Sequence, residues 1–181
     1  MIPYFYNIEK QLFSSELLNE LESFVLSKLD SFVEYRGGDG ETDGNNYYHS
    51  KELKEIPEIK SFIKNCYLEC FPMIVLHKPN GKVIKHVDDP NKRNTVIITP
   101  IYPAKEYTST KFWQDDNCVA VCEFNKGGST FFNTQKTHSL TNSNEYRFNL
   151  QLCFNEDFET VLKLYNNLSL IHISEPTRQA E

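Results

Sequence analysis

Four side chains in the second half of the chain could together bind a metal ion and an organic acid. His86 and Asp88 lie two positions apart in a segment of strand character, so both project from one face. His138 and Arg147 follow in two later segments of similar character. Two imidazoles and one carboxylate on one face of Fe(II) leave coordination positions open for a bidentate keto acid and dioxygen. A buried arginine suits the far carboxylate of that acid, which it can hold through paired hydrogen bonds.

The same four residues have a second interpretation, a buried polar cluster that binds no iron. A His-x-Asp pair by itself is a weak signal because so short a pattern recurs by chance. The presence of His138 and Arg147 in the required order, on strand-like segments, favours the metal site.

The segment HVDDPNKRNT at 86–95 carries a family resemblance when it is taken together with His138 and Arg147. The chain resembles the Fe(II)/2-oxoglutarate-dependent dioxygenase superfamily, and this segment is most similar to its prolyl hydroxylase branch. The resemblance covers about 71–154. It implies a double-stranded β-helix, or jelly roll, with the N-terminal helices packed against its larger sheet.

Residue roles also follow from the resemblance. It implies that His86, Asp88 and His138 are the metal ligands at the catalytic centre and that Arg147 binds 2-oxoglutarate. The required partners would be Fe(II), 2-oxoglutarate and dioxygen, and ascorbate is a candidate additional reductant. Such an enzyme hydroxylates an unactivated C–H bond and releases succinate and carbon dioxide.

The chain departs from the family pattern where further contacts to 2-oxoglutarate are expected. His77 stands near the position of an expected Tyr before the first ligand, and Thr99 is the nearest match to a second expected Tyr. We treat both as candidate co-substrate contacts, together with Asn149, which shares a strand face with Arg147. A histidine that serves only the structure is the alternative for His77. The sequence GGST at 127–130 is interpreted as a turn before a strand.

The elements that must position these residues follow from the hydrophobic pattern. Apolar spacing behind Ser15 predicts a helix, and Pro57 begins a second helix whose apolar face extends through Cys70. Glycines, Asp and Asn at 36–50 indicate a loop. Turns are predicted at 79–81 and 125–128. Predicted strands are 73–77, 83–88, 95–102, 118–124, 129–133 and 147–154. Helices followed by short antiparallel strands predict an α+β jelly roll or sandwich.

Length and composition favour one cytoplasmic domain. The 181 residues carry a net charge of −6 without a basic run, which argues against a nucleic-acid partner. No apolar segment is long enough to span a membrane, and the N-terminus lacks the pattern of a signal peptide. We expect the domain to occupy 1–167, with helices within 15–70 and the β-helix core at 71–154. The sequence does not indicate an oligomeric state.

The sequence contains two other candidate metal sites, a cysteine cluster for zinc and a loop for calcium. The cysteines are expected to be reduced and to pack in the interior, and a zinc site formed by four of them is the less favoured alternative because they lack Cys-x-x-Cys spacing. These four are Cys66, Cys70, Cys118 and Cys122. The segment 39–50 imitates a calcium loop, but Ser50 stands where the bidentate Glu belongs. A lid over the substrate is the alternative for this segment.

The last residues, LSLIHISEPTRQAE at 168–181, resemble the in-frame translation of a sequencing adapter. We therefore expect them to be a non-native tail and exclude them from the fold prediction.

The substrate is left open among three classes. A prolyl or other peptidyl side chain comes first on resemblance, a free amino acid or other small molecule second, and a nucleobase third because the chain is acidic. A non-catalytic jelly-roll binding or structural protein is the alternative function. Trp113 is assigned to the core or its rim, and a contact with the substrate is the alternative for it.

Overall fold

The computed structural model describes residues 3–34, 43–48, 51–66, 68–102, 109–141 and 143–173. Within them lie three α-helices: α1 (Ser15–Ser27), α2 (Pro57–Asn65) and α3 (Phe158–Ile173). The strands are β1 (Phe5–Ile8), β2 (Val33–Glu34), β3 (Asp43–Tyr48), β4 (Cys70–His86), β5 (Thr95–Tyr102), β6 (Ser109–Gln114), β7 (Asn117–Glu123), β8 (Ser129–Asn133), β9 (His138–Thr141) and β10 (Arg147–Phe154).

The strands pair antiparallel in the order β1-β8-β5-β10-β4-β9-β6-β7, and β3 joins β2 to the remaining side of β4. The first half of β4 pairs with β10, and its second half pairs with β9. Strand β4 therefore belongs to two sheets. The larger sheet contains β8, β5 and β10, and the smaller contains β9, β6 and β7. This arrangement is an α+β double-stranded β-helix, or jelly roll.

Strand β10 divides the interior into two cores because successive side chains point to opposite faces of a sheet. Its alternate residues Phe148, Leu150, Leu152 and Phe154 pack with the helices in one hydrophobic cluster. Cys153 belongs instead to a second cluster, which lies between the two sheets and includes Phe112 and Phe132. Arg147 and Asn149 share the pleat face of Cys153, so this strand delivers its polar side chains to the space between the sheets.

A hydrogen bond connects the N-termini of helices α1 and α2. The hydroxyl Oγ of Ser14 accepts a hydrogen bond from the amide of Leu17 at 3.1 Å, so Ser14, and not the predicted Ser15, caps α1. The amide of Ser14 donates to Oε2 of Glu58 in α2 at 2.8 Å. This contact ties the start of α1 to the first turn of α2.

Strand β4 differs from its prediction because it continues through 79–81, where the sequence predicted a turn. Asn80 adopts a positive φ of 57°, which Asn tolerates better than most residues, and its amide donates to the carbonyl of Ser143 at 2.6 Å. The Pro-Asn-Gly sequence thus bends the strand from one sheet into the other without ending it. The predicted turn at 125–128 is confirmed, with Gly127 at a φ of 77°.

Several other elements differ from the sequence prediction. Residues 43–48 form β3, although their composition predicted a loop. The rest of 36–50, which includes half of the calcium-like segment 39–50, lies outside the described residues. Helix α2 ends at Asn65, and Cys70 begins β4. Strands β1 and β6 and helix α3 were not predicted. Helix α3 continues past residue 168, where the adapter-like sequence begins.

The cysteines do not assemble into a zinc site. Cys118 is exposed and the other four are buried as free thiols. Across the described part of the chain, no cluster of three or more metal-ligating side chains contains a cysteine. None of the described helices has the length and apolar character that crossing a membrane requires.

The two-sided packing of β10 yields a stability prediction. We expect Leu150→Ala to lower the free energy of unfolding by about 2–5 kcal/mol, because Leu150 is fully buried between the larger sheet and the helices. Urea unfolding measures the loss. The matched control Leu26→Ala removes the same atoms from a half-exposed position on α1 and should change stability by less than about 0.5 kcal/mol. Equal losses would contradict this assignment of the core.

Candidate metal centre

The pairing of β4 with β9 brings the predicted ligands together. His86 and His138 are register partners across these strands, and their ring centroids are 4.3 Å apart. Asp88 lies two residues beyond the end of β4, which was predicted to continue to 88. Its Oδ1 lies 3.1 Å from Nε2 of His86 and 3.9 Å from Nε2 of His138. The three ligand atoms all lie within 4.8 Å of one another. The three side chains thus converge on one point, as ligands of a single metal ion must.

Backbone carbonyls orient both imidazole rings. Nδ1 of His86 lies 2.9 Å from the carbonyl oxygen of Ile84, and Nδ1 of His138 lies 2.8 Å from that of Lys136. A carbonyl oxygen only accepts, so each Nδ1 carries the proton and donates it. In the neutral form of each ring, Nε2 therefore keeps its lone pair and faces Asp88. This tautomer is the one that a metal-binding histidine needs.

Burial and neighbouring groups keep His138 neutral and Asp88 ionised, the forms that bind metal, whereas they favour the protonated form of His86. Burial lowers the pKa of His138 to about 4, so its ring is neutral at physiological pH. Burial acts to raise the pKa of Asp88, but the Arg93 guanidinium and the hydrogen bond to His86 outweigh it and lower this pKa to about 2. Burial also acts to lower the pKa of His86, yet its hydrogen bonds to Asp88 and to the Ile84 carbonyl raise it.

Aromatic side chains close one side of the cluster. The ring centroid of Phe132 lies 5.1 Å from that of His138, and the centroid of Phe112 lies 6.1 Å from it. Both phenylalanines are almost completely buried between the two sheets. They shield His138 from water on this side and restrict the ring to one orientation.

Arg147 is buried in the same space without a carboxylate. Among the described residues no acidic side chain lies within ion-pair distance of its guanidinium, which stacks 4.7 Å from the ring of Phe124 and donates from Nε to Oδ1 of Asn149 at 3.2 Å. Nη1 of Arg147 and Nδ2 of Asn149 are buried without any hydrogen-bond partner. Burial lowers the pKa of Arg147 to about 9, which still leaves it charged at neutral pH. Two unsatisfied donors beside a buried cation suit a carboxylate ligand.

The structure brings two of the three further candidates to this pocket. His77 is the register partner of Arg147, and burial together with the Arg147 charge lowers its pKa, which keeps the ring neutral. Asn149 contacts Arg147 directly. Thr99 is not brought to the pocket: it shares a pleat face with Ile97 and Ile101, which pack against the helices.

The reason for the position of Thr99 is the two-residue period of a strand. Its hydroxyl lies 2.7 Å from that of Ser129 on the helix side of the larger sheet. Its neighbour Ile98 belongs to the cluster between the sheets. An offset of one position in matching the chain to the family pattern was enough to select the wrong face.

Three residues without a predicted role also lie at the site. Arg93 forms an ion pair with Asp88, and Gln135 donates to the carbonyl oxygens of both. Gln151, on the pleat face of Asn149, has a buried Oε1 without a hydrogen-bond partner. The alternation of polar residues along β10 was a signal for Gln151, and Arg93 lies in the segment at 86–95 that carried the family resemblance.

Trp113, which was assigned to the core or its rim, lies on β6. Its Nε1 donates to the hydroxyl of Ser139 at 2.8 Å, and the ammonium of Lys85 lies 4.1 Å from the ring centroid. These contacts fix the indole on the smaller sheet.

Comparisons with known proteins support the fold. The sequence matches no family model and no curated protein. A solved prolyl-4-hydroxylase from Pseudomonas putida is similar in structure, with a TM-score of 0.62 and 12% identity over 83% of this chain and 91% of that chain. A prolyl hydroxylase from Trichoplax adhaerens, in complex with a hypoxia inducible factor oxygen degradation domain peptide, has a TM-score of 0.65 and 14% identity over 89% and 86% of the two chains.

A third similar structure is a viral collagen prolyl hydroxylase from Paramecium Bursaria Chlorella virus-1 in complex with 2-oxoglutarate. Its TM-score is 0.55, with 15% identity over 83% of this chain and 94% of that chain. At these identities the similarity shows that the chain has the double-stranded β-helix fold of such oxygenases. The resemblance found in the sequence is thus confirmed at the level of the fold.

The geometry of the cluster predicts the effect of removing one ligand. We expect His138→Ala to abolish binding of Co(II), a spectroscopic substitute for Fe(II), because the two remaining ligands cannot hold the ion. Titration followed by the visible spectrum measures binding, and near-UV circular dichroism monitors the fold. Lys136→Ala is the matched control, since Lys136 supports the site only through its backbone carbonyl, and it should bind Co(II) normally. Normal binding by His138→Ala would contradict the assignment.

Because the guanidinium of Arg147 has no carboxylate partner among the described residues, its removal is predicted to cost little stability. We expect Arg147→Met to leave the free energy of unfolding of the ligand-free protein within about 1 kcal/mol of wild type, because an apolar side chain of similar volume avoids the cost of burying a charge. Urea unfolding followed by Trp113 fluorescence measures it. A loss above about 3 kcal/mol would indicate that the guanidinium already has a compensating partner.

Proposed function

We propose that the protein is an Fe(II)- and 2-oxoglutarate-dependent dioxygenase that hydroxylates a C–H bond and releases succinate and carbon dioxide. The observation that carries the proposal is the pairing of a His-Asp-His cluster with a buried, carboxylate-free arginine in one space between two sheets. A jelly roll that only binds or supports a partner needs neither the His-Asp-His cluster nor the buried arginine.

The two parts of the site face one continuous interior. Phe124 stacks on Arg147, its ring centroid is 6.5 Å from that of Phe132, and Phe132 contacts His138. We propose that a short dicarboxylate lies along these rings, with one end at the metal ligands and the other at Arg147. This arrangement supports a keto acid with a second carboxylate as the co-substrate.

The balance of charge also supports a dianionic co-substrate. The carboxylate of Asp88 is paired with Arg93, and His77 is kept neutral by burial beside two guanidinium groups. Arg147 therefore adds a positive charge that no described carboxylate offsets. A divalent metal ion would increase this positive charge further. The two negative charges of 2-oxoglutarate would offset most of this positive charge.

The residues have distinct tasks in the proposed reaction. His86, Asp88 and His138 would hold Fe(II), which when bound supplies the open coordination positions at which the keto acid and dioxygen react. Arg147 and Asn149 orient the co-substrate through its far carboxylate. Phe112 and Phe132 exclude water from one side, which protects the reacting groups from side reactions.

For the substrate we propose a prolyl or other peptidyl side chain. The support is the similarity of the chain to three prolyl hydroxylase structures, one of which holds a peptide. A small metabolite is the second candidate. Succinate release measured with proline-containing peptides and with free amino acids would separate the two classes.

The co-substrate assignment is tested by the visible spectrum of the protein under anaerobic conditions. We expect Fe(II) followed by 2-oxoglutarate to produce a broad metal-to-keto-acid absorption band. Arg147→Met should weaken 2-oxoglutarate binding about 10- to 100-fold, as loss of charge-assisted hydrogen bonds worth ~1.5–3 kcal/mol implies, while Fe(II) affinity stays nearly constant.

The matched control is Lys111→Met, which removes a cation from an exposed position on β6 and should behave as wild type. Equal loss of iron and 2-oxoglutarate in Arg147→Met would mean that the substitution disrupts the whole site. Well-folded wild-type protein that shows no band would favour the non-catalytic alternative.

A further inference from the structure

We infer that Arg93 is a positioning residue that restricts Asp88 to one-oxygen metal binding and so keeps a coordination position open for the co-substrate. The inference rests on the metal centre of the proposed function. It concerns the denticity of one carboxylate, which none of the similarities to known proteins addresses.

The two oxygens of Asp88 have different neighbours. Oδ1 faces Nε2 of both His86 and His138, at 3.1 and 3.9 Å. Oδ2 instead lies 2.9 Å from Nη2 of Arg93, and both side chains of this ion pair are largely shielded from solvent, at 20% and 13% exposure. Oδ1 is therefore the oxygen nearest both imidazoles, whereas Oδ2 makes an ion-pair contact with the guanidinium and has no aligned hydrogen bond.

Arg93 is itself fixed by the loop that leads to His138. Its carbonyl oxygen accepts from Oγ1 of Thr134 at 2.6 Å and from Nε2 of Gln135 at 3.0 Å. The amide of Asp88 donates to the carbonyl of Thr134 at 3.1 Å, and Nε2 of Gln135 also reaches the carbonyl of Asp88 at 3.3 Å. One loop thus sets the relative position of both members of the pair.

The number of Asp88 oxygens bound to the metal decides how many coordination positions remain for other ligands. Two imidazoles and one carboxylate oxygen leave three of six positions free, enough for a bidentate keto acid and dioxygen. A carboxylate that bound through both oxygens would take one of those three. By engaging Oδ2, Arg93 prevents Asp88 from competing with the co-substrate, while Asp88 remains ionised and bound.

The test measures the coordination of Co(II) in the intact protein by X-ray absorption, which distinguishes one-oxygen from two-oxygen carboxylate ligation by the metal-to-carboxyl-carbon distance. We expect one-oxygen ligation in wild type and two-oxygen ligation in Arg93→Gln. The affinity of the Co(II) protein for 2-oxoglutarate, followed by the visible spectrum, should fall about tenfold or more in Arg93→Gln. Neither readout depends on turnover.

Two further variants separate geometry from charge. Arg93→Lys keeps a cation near Asp88 but lacks the planar fork, so we expect its 2-oxoglutarate affinity to lie between those of wild type and Arg93→Gln. Lys92→Gln removes the neighbouring charge from an exposed pair with Asp89 and should leave both readouts unchanged.

The outcomes are distinct. One-oxygen ligation in Arg93→Gln with unchanged 2-oxoglutarate affinity would overturn the inference. Two-oxygen ligation in wild type would overturn it as well, whether or not the variants fold. Failure of wild-type protein to bind Co(II) at all would instead overturn the proposed function on which the inference rests.

Discussion

The alternation of side chains along β10 is the constraint on which the rest of the structure depends. One face of this central strand carries large apolar residues against the helices, and the other carries Arg147, Asn149 and Gln151 into the space between the sheets. The apolar face gives the domain its larger core and fixes the register with β4 and β5. A shift of the β10 register by one residue would turn the helix-facing side chains into the pocket and move Arg147 out of it. Stability and ligand binding are therefore set by the same pairing.

The metal centre depends in the same way on backbone pairing rather than on side-chain contacts alone. His86 and His138 face each other because β4 and β9 are in register, and backbone carbonyls select the tautomer of each ring. Asp88 is the one ligand beyond the strand ends, and it needs additional support from Arg93 and the loop at 134–135. The backbone hydrogen bonds of paired strands already hold the two histidine ligands rigid. The ligand on a loop needs additional ion pairs and hydrogen bonds to hold it.

Much of the fold and part of the site could be predicted because the signals were local. The strand-like spacing of His86 and Asp88, and the order of His138 and Arg147, identified the cluster and the buried cation that the structure brings together. Thr99 was misplaced because the choice of face changes with every residue. Strand β3 was missed because its glycine- and asparagine-rich sequence has no periodicity, and only pairing with β4 makes it a strand. The ion pair of Arg93 depends on loop geometry that composition does not encode.

The continuous path of β4 through Asn80 has a consequence for how the protein unfolds. Because this single strand supplies backbone hydrogen bonds to β10 in one sheet and to β9 in the other, neither sheet can open at β4 without disturbing its counterpart. The bend at Asn80 connects the two halves of β4, and the amide of Asn80 donates a hydrogen bond to the carbonyl of Ser143. The amides of both halves should consequently exchange with solvent hydrogen in a single cooperative event, which makes the jelly roll one unfolding unit rather than two stacked layers.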